Sequence, residues 1–251
     1  MKTIGVVAGA GPFAGQDLLK KIFEETCAAV DQDHLDVIGL FRPASLPDRT
    51  AFLLNQKLPN PGTAIARQVL ELETMGAAVA GIPCNTAHAP LIFNQMQAEL
   101  ARSQSKILFL NMIEETVRFI QEKHPEIQQL GVLSTTGSYR ANLYPLYFEK
   151  SGLKPVIPDE AVQLKRVHPA IYDPGYGIKA FGKATERSRR DLLEAIDHLV
   201  NKGAQAVILG CTELPLAIEE TEIDGTVMLD PTRVLARALI REAAPEKLKP
   251  L

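Results

Sequence analysis

Short apolar runs alternate along the chain with longer stretches of helical period, the pattern of parallel strands joined by crossover helices. The runs predict strands over residues 3–7, 36–40, 77–82, 106–110, 129–133, 154–157, 204–209 and 226–229. Apolar positions spaced three and four apart predict helices over 15–30, 62–75, 89–101, 113–123, 140–151, 159–167, 185–201 and 231–243. The fold class this implies is α/β.

Two of the runs repeat one another. Gly76-Ala77-Ala78-Val79-Ala80-Gly81-Ile82 leads into Pro83-Cys84-Asn85-Thr86-Ala87-His88, and Gly203-Ala204-Gln205-Ala206-Val207-Ile208-Leu209 leads into Gly210-Cys211-Thr212-Glu213-Leu214-Pro215. The cysteines are 127 residues apart, while the openings Thr3-Ile4-Gly5-Val6-Val7 and Gln129-Leu130-Gly131-Val132-Leu133 are 126 apart. Offsets that agree across half the chain indicate an internal duplication. The expected architecture is two pseudo-symmetric lobes, each a mostly parallel sheet flanked by helices. Val227-Met228-Leu229-Asp230-Pro231 and its helix resemble Ile107-Leu108-Phe109-Leu110-Asn111 and its own, so the end of the chain is expected to complete the first lobe. Residues 1–113 plus 229–251 then form one lobe and 114–228 the other. Ligands collect outside the carboxyl ends of parallel strands. Both cysteines lie at such ends, which places the expected active site in the cleft between lobes.

Composition narrows the chemistry. The 27 basic and 30 acidic residues of this 251-residue chain are mixed along it, and a net charge of -3 offers no basic face to nucleic acid or an anionic membrane. Met1-Lys2 runs straight into a strand-like segment, without the apolar length of a signal peptide or membrane span. Three cysteines, an odd number, argue for reduced thiols and a cytoplasmic location rather than a disulfide framework. A small molecule is the expected partner.

Each of Cys84 and Cys211 precedes a helical segment, whose N-terminal amides would favour a thiolate. A lone cysteine in such a place is as readily a buried apolar residue. Two, at equivalent positions and flanked by Asn-Thr and Thr-Glu, argue for chemistry. No metal is expected, because only His88 lies near zinc-ligand spacing from either thiol. Cys27, among Ile22, Phe23 and Val30, is expected to pack in the core. Two opposed thiols can remove a proton from one face of a carbon stereocentre and return one to the other face, which inverts the centre. A nucleophilic thiol would need one cysteine with an activating histidine.

The motifs Lys2-Thr3-Ile4-Gly5 with Gly9-Ala10-Gly11-Pro12, Leu46-Pro47-Asp48-Arg49-Thr50, Pro83-Cys84-Asn85-Thr86-Ala87-His88, Gly131-Val132-Leu133-Ser134-Thr135-Thr136-Gly137, Gly177-Ile178-Lys179 and Gly210-Cys211-Thr212-Glu213 together resemble the aspartate/glutamate racemase family, nearest in pattern to its aspartate racemases. They span nearly the whole chain in the family's order, and the paired cysteine motifs are the specific ones. The resemblance implies two similar α/β lobes with the active site between them, a homodimer, no cofactor and an acidic amino acid as substrate. It implies Cys84 and Cys211 as the two bases. Asn85, Thr86, Thr135 and Thr212 would hold the α-carboxylate or amino group, with Ala10 and Gly11 in the same pocket. Arg49 and Lys179 would hold the side-chain carboxylate, a task suited to cations. The family's usual glycine-glycine-methionine-glycine-proline turn reads Ala8-Gly9-Ala10-Gly11-Pro12 here. Ala10 makes a roomier pocket, open to glutamate or a broader range.

Other readings remain at this stage. Gly9-Ala10-Gly11-Pro12-Phe13-Ala14 fits a loose G-x-G-x-x-A dinucleotide fingerprint, although the second strand runs into Arg42-Pro43 without the usual acid. A non-catalytic binder of acidic amino acids, or a redox-sensing thiol pair, would also fit two lobes with one thiol each. His88 and Glu213 are candidates to orient their neighbouring cysteines. The segment 169–182, rich in Pro, Gly and Tyr, reads either as a lid carrying Lys179 or as an ordinary connection.

Overall fold

A computed structural model describes residues 1–251. The chain divides into two compact units, one of residues 1–116 with 232–251 and one of residues 117–231. Each is built on a parallel sheet.

In the first unit, β1 (Thr3–Val7) and α1 (Pro12–Glu24) lead to β2 (Val37–Leu40), then α2 (Arg49–Leu54) and α3 (Pro61–Thr74) to β3 (Ala77–Gly81). α4 (Pro90–Arg102) returns the chain to β4 (Leu108–Phe109), and α5 (Met112–Lys123) leaves the unit. The strands are ordered β2-β1-β3-β4 and pair in parallel. Expected to reach residue 30, α1 stops at Glu24. Beyond it the Thr26 hydroxyl donates to the Ile22 carbonyl at 2.6 Å and the Cys27 amide to the Lys247 carbonyl at 2.7 Å. Pairing with the C-terminal tail thus replaces the last helical turns. Cys27 is exposed as a result, not packed in the core as its spacing predicted.

The second unit runs β5 (Gln129–Ser134), α6 (Thr136–Arg140), α7 (Leu143–Phe148), β6 (Lys154–Val156) and α8 (Glu160–Val162). A π-helical turn (Gln163–Val167) passes directly into α9 (His168–Tyr172), and α10 (Ile178–Phe181) and α11 (Glu186–Asn201) follow. β7 (Ala206–Gly210), β8 (Glu222–Ile223) and β9 (Thr226–Leu229) end the unit, with strand order β6-β5-β7-β9-β8 and only β8 antiparallel. The helix expected over 140–151 is interrupted at Asn142, whose backbone is left-handed with φ 51°. Asparagine tolerates that conformation better than most residues. Segment 169–182 packs on its own unit: Ala170, Ile171 and Ile178 are fully buried in one cluster with Leu192, Leu199 and Leu209. α12 (Pro231–Ala243) carries the chain back to the first unit, where Leu235, Ala236, Leu239 and Ile240 pack with Ile4, Val6, Val79 and Met112.

The duplication extends to strand register. Ile4, Gly5 and Val6 face Val79, Ala80 and Gly81, while Leu130, Gly131 and Val132 face Ala206, Val207 and Ile208. Gly76 and Gly203 end the preceding helices at φ 101° and 94°, where a side chain would be strained.

Candidate active site

In the first unit the chain leaves β1 through a buried 3-10 turn, Ala8–Ala10, and Gly11 is extended before Pro12 opens α1. Proline at a helix's first position has a preset φ and lacks an amide that would have no partner there. Arg49 starts α2 after Asp48, whose carboxylate caps that helix by accepting from the Ala51 amide at 2.6 Å. With Asp48 so engaged, the Arg49 guanidinium donates to the carbonyls of Ala10 and, at 3.1 Å, Pro47. Arg49 is therefore tied to the turn that carries Ala10.

Next to β1, β3 ends at Gly81 and the chain passes through Cys84, extended and half-buried, into the 3-10 turn Asn85–His88. Asn85 and Thr86 are buried in that turn. His88 is fully buried, 3.4 Å from the Ile82 carbonyl and 5.5 Å from the Phe93 ring centroid. Burial lowers its pKa from 6.5 to about 4. It is neutral near pH 7 and supports the turn from inside the core.

In the second unit β5 and β7 are hydrogen-bonded neighbours that end together at Ser134 and Gly210. Thr135 caps α6, accepting from the Ser138 amide at 3.3 Å, and the Thr136 hydroxyl meets His168 Nδ1 at 2.9 Å. Cys211 is 4% exposed, and Thr212 and Glu213 beside it are buried too. The Cys211 Sγ donates to Glu213 Oε2 at 3.0 Å, and Glu213 Oε1 forms an ion pair with the Lys179 Nζ from α10. Lys179 also lies over the Tyr172 ring, 5.7 Å from its centroid. Burial and then the Glu213 charge push the Cys211 thiol well above its ordinary pKa. Burial opposes the Glu213 charge, but Lys179 outweighs it and lowers that carboxyl's pKa. Burial likewise opposes the Lys179 charge, and the Glu213 carboxylate outweighs it to raise that pKa.

The structure thus joins Arg49 to Ala10, the residue before Gly11, by direct contact, with Cys84, Asn85 and Thr86 at the end of the adjacent strand. In the other unit it groups Thr135, Cys211 and Thr212 at neighbouring strand ends and joins Lys179 to them through Glu213. Neither cysteine directly precedes an α-helix, because each opens onto a single 3-10 turn, Asn85–His88 or Leu214–Leu216. The expected help from a helix dipole is therefore small. Two contributors escaped sequence reasoning. Tyr144 packs against Gly210, where an added Cβ would sit 2.9 Å from its ring, and His168 holds Thr136. The sequence flags neither, since tyrosines and histidines elsewhere in the chain look alike. No group of three or more His, Cys, Asp or Glu side chains is placed to hold a metal ion, and no helix is long and apolar enough to cross a membrane. Chemically, each unit offers one thiol at a strand end among hydroxyl, amide and cationic donors.

A family model described as Asp/Glu/Hydantoin racemase matches residues 7–239. Among solved structures, an aspartate racemase from Picrophilus torridus superimposes with a TM-score of 0.80 at 28% identity, covering 99% of this chain and 96% of that one. A glutamate racemase from Francisella tularensis, solved with D-glutamate, has the same fold at a TM-score of 0.63 and 19% identity, covering 100% of this chain and 84% of that one. A broad-specificity amino-acid racemase from Bacillus subtilis is 21% identical over 94% of this chain and 96% of its own length.

Proposed function

This chain belongs to the Asp/Glu/Hydantoin racemase family, and from that premise we propose that it inverts the α-carbon of an acidic amino acid, aspartate first, with Cys84 and Cys211 as acid and base on opposite faces. The chain is an amino-acid racemase, an isomerase. The observation that carries the two-thiol reading is the equivalence of the cysteines. Each follows the same strand of a duplicated sheet, with the strand registers repeating residue for residue.

In this scheme one thiolate takes the α-proton and the opposite S–H delivers its own to the other face, so a turnover ends with the two sulfurs' roles exchanged. The carbanion formed between those steps needs fixed donors and exclusion of water. Asn85 and Thr86 in one unit, and Thr135 and Thr212 in the other, are the side chains offered for that purpose. Arg49 is the cation offered to a distal carboxylate in the first unit and Lys179 in the second. Aspartate is favoured by the Picrophilus torridus relative, an aspartate racemase. Small Ala10 and the broad-specificity Bacillus subtilis relative support a second reading, in which glutamate or a wider range is accepted. We further propose a cytoplasmic homodimer, which sedimentation analysis of the purified chain would test.

The test is α-proton exchange in deuterium oxide over a panel of L and D amino acids. Deuterium should enter aspartate of either handedness with loss of optical rotation, while a pure binding protein would give neither. Cys84→Ser and Cys211→Ser should each lower racemisation in both directions by about a hundredfold or more. Retention of most turnover by either variant would refute the two-thiol scheme.

A further inference from the structure

Cys211, Glu213 and Lys179 form a chain of contacts in which both oxygens of one carboxylate are engaged. Glu213 Oε1 meets the Lys179 ammonium, and Oε2 lies 3.0 Å from the Cys211 sulfur with the Thr212 hydroxyl at 3.4 Å. A carboxylate paired with an ammonium is an acceptor only, so the proton of the sulfur–oxygen contact is on sulfur. The Glu213 side chain is 4% exposed, which leaves little water to compete for its charge, and that of Lys179 is 30% exposed. Lys179 is also held from behind. Ile178 beside it is fully buried, and the Gly177 amide donates to the Asp173 carbonyl at 2.7 Å.

We propose that Glu213 and Lys179 are a resident positioning pair that keeps the proton on Cys211 in the substrate-free chain, so that Cys211 starts as the acid and Cys84 as the base. The proposal rests on the two-thiol reading above and deepens it. Lys179 then acts on Cys211 through Glu213, the carboxylate with which it is paired. The charged and titratable groups facing Cys211 are Glu213 from its own loop, Lys179 from α10 and Tyr144 from α7, with Asp230 acting on Tyr144.

The test uses two full-length single-thiol chains without substrate, C27S/C84S carrying Cys211 and C27S/C211S carrying Cys84. Thiolate absorbance in the ultraviolet gives the midpoint of each thiol across a pH series, independent of access, and iodoacetamide gives its reactivity. Cys84 should be alkylated at neutral pH at least about tenfold faster than Cys211. E213Q added to the Cys211 chain should move the Cys211 midpoint down and speed its alkylation about tenfold, because an anion and its acceptor are replaced by a neutral amide beside a cation. K179R, which keeps the charge, should leave the midpoint in place. A merely structural Glu213 would change rates without moving the midpoint. Equal alkylation of the two thiols in the chains that retain Glu213 would overturn the proposal whatever E213Q does, and so would an unmoved Cys211 midpoint in E213Q. Failure of the two-thiol reading itself would appear elsewhere, as undiminished racemisation by Cys211→Ser.

Discussion

His88 shows how a single residue's surroundings decide its role. Beside a candidate base it reads equally as an activator or as a hydrogen-bonded scaffold residue, and burial lowers its pKa from 6.5 to about 4. The unfolded chain takes up this proton near pH 6.5, whereas the folded chain resists it down to about pH 4. Its contribution to stability is therefore complete above pH 6.5 and is lost progressively as pH falls toward 4, by about 3 kcal/mol in all. Urea midpoints measured across that range should decline in the native chain and decline less in His88→Gln. An equal slope in both would show that the histidine is not buried neutral. Glu213, with its pKa lowered, adds a loss at still lower pH, as the carboxylate is protonated. Cys27 illustrates the opposite error of sequence reading. Its apolar neighbours suggest burial, but the helix ends before it and it is exposed.

Among the elements, α11 has the most explicit start signal. The Thr185 hydroxyl accepts from the Ser188 amide at 3.1 Å, and the Ser188 hydroxyl accepts from the Thr185 amide at 2.9 Å. Thr185→Ala should cost about 1 kcal/mol of unfolding free energy, read from urea denaturation. The glycines that end α3 and α11 carry a comparable burden. Gly76 has open space around it, so Gly76→Ala meets no clash and tests the backbone alone, at about 1–2 kcal/mol. Short elements were the ones hidden in the sequence. α2 is too brief to show a helical period, and the break between α6 and α7 depends on one left-handed asparagine. The π turn ahead of α9 keeps the periodic pattern of an ordinary helix while shifting its register.

For the whole molecule, what matters is that the chain returns. Residues 232–251 belong to the first unit although the second unit separates them from it in sequence. Leu235 is fully buried and also lies against Gly81, where an added Cβ would come within 3.1 Å of its side chain. Leu235→Ala should cost about 2–5 kcal/mol. Ending the chain after Pro231 should expose amides of β1 and β3 to rapid hydrogen exchange while those of β5 and β7 stay protected. Equal protection in both sheets would mean that the returning helix adds little to the first core.

The alternation of strands and helices, the duplication and the placing of both cysteines at strand ends were legible in the sequence, because period and repeat are properties of neighbours along the chain. So was the family, through motifs of fixed spacing. Lys179 and Glu213, 34 residues apart, share no spacing rule, and nothing in the chain's pattern marks them as partners. The same holds for the ties of Arg49 to backbone carbonyls and for the burial of His88. Those depend on which side chains the packed strands and turns bring within a few ångströms, and on how much water they exclude there. Only the tertiary structure decides such things, since charge and hydrogen bonding are settled by distance in space and local dielectric, which linear order does not encode.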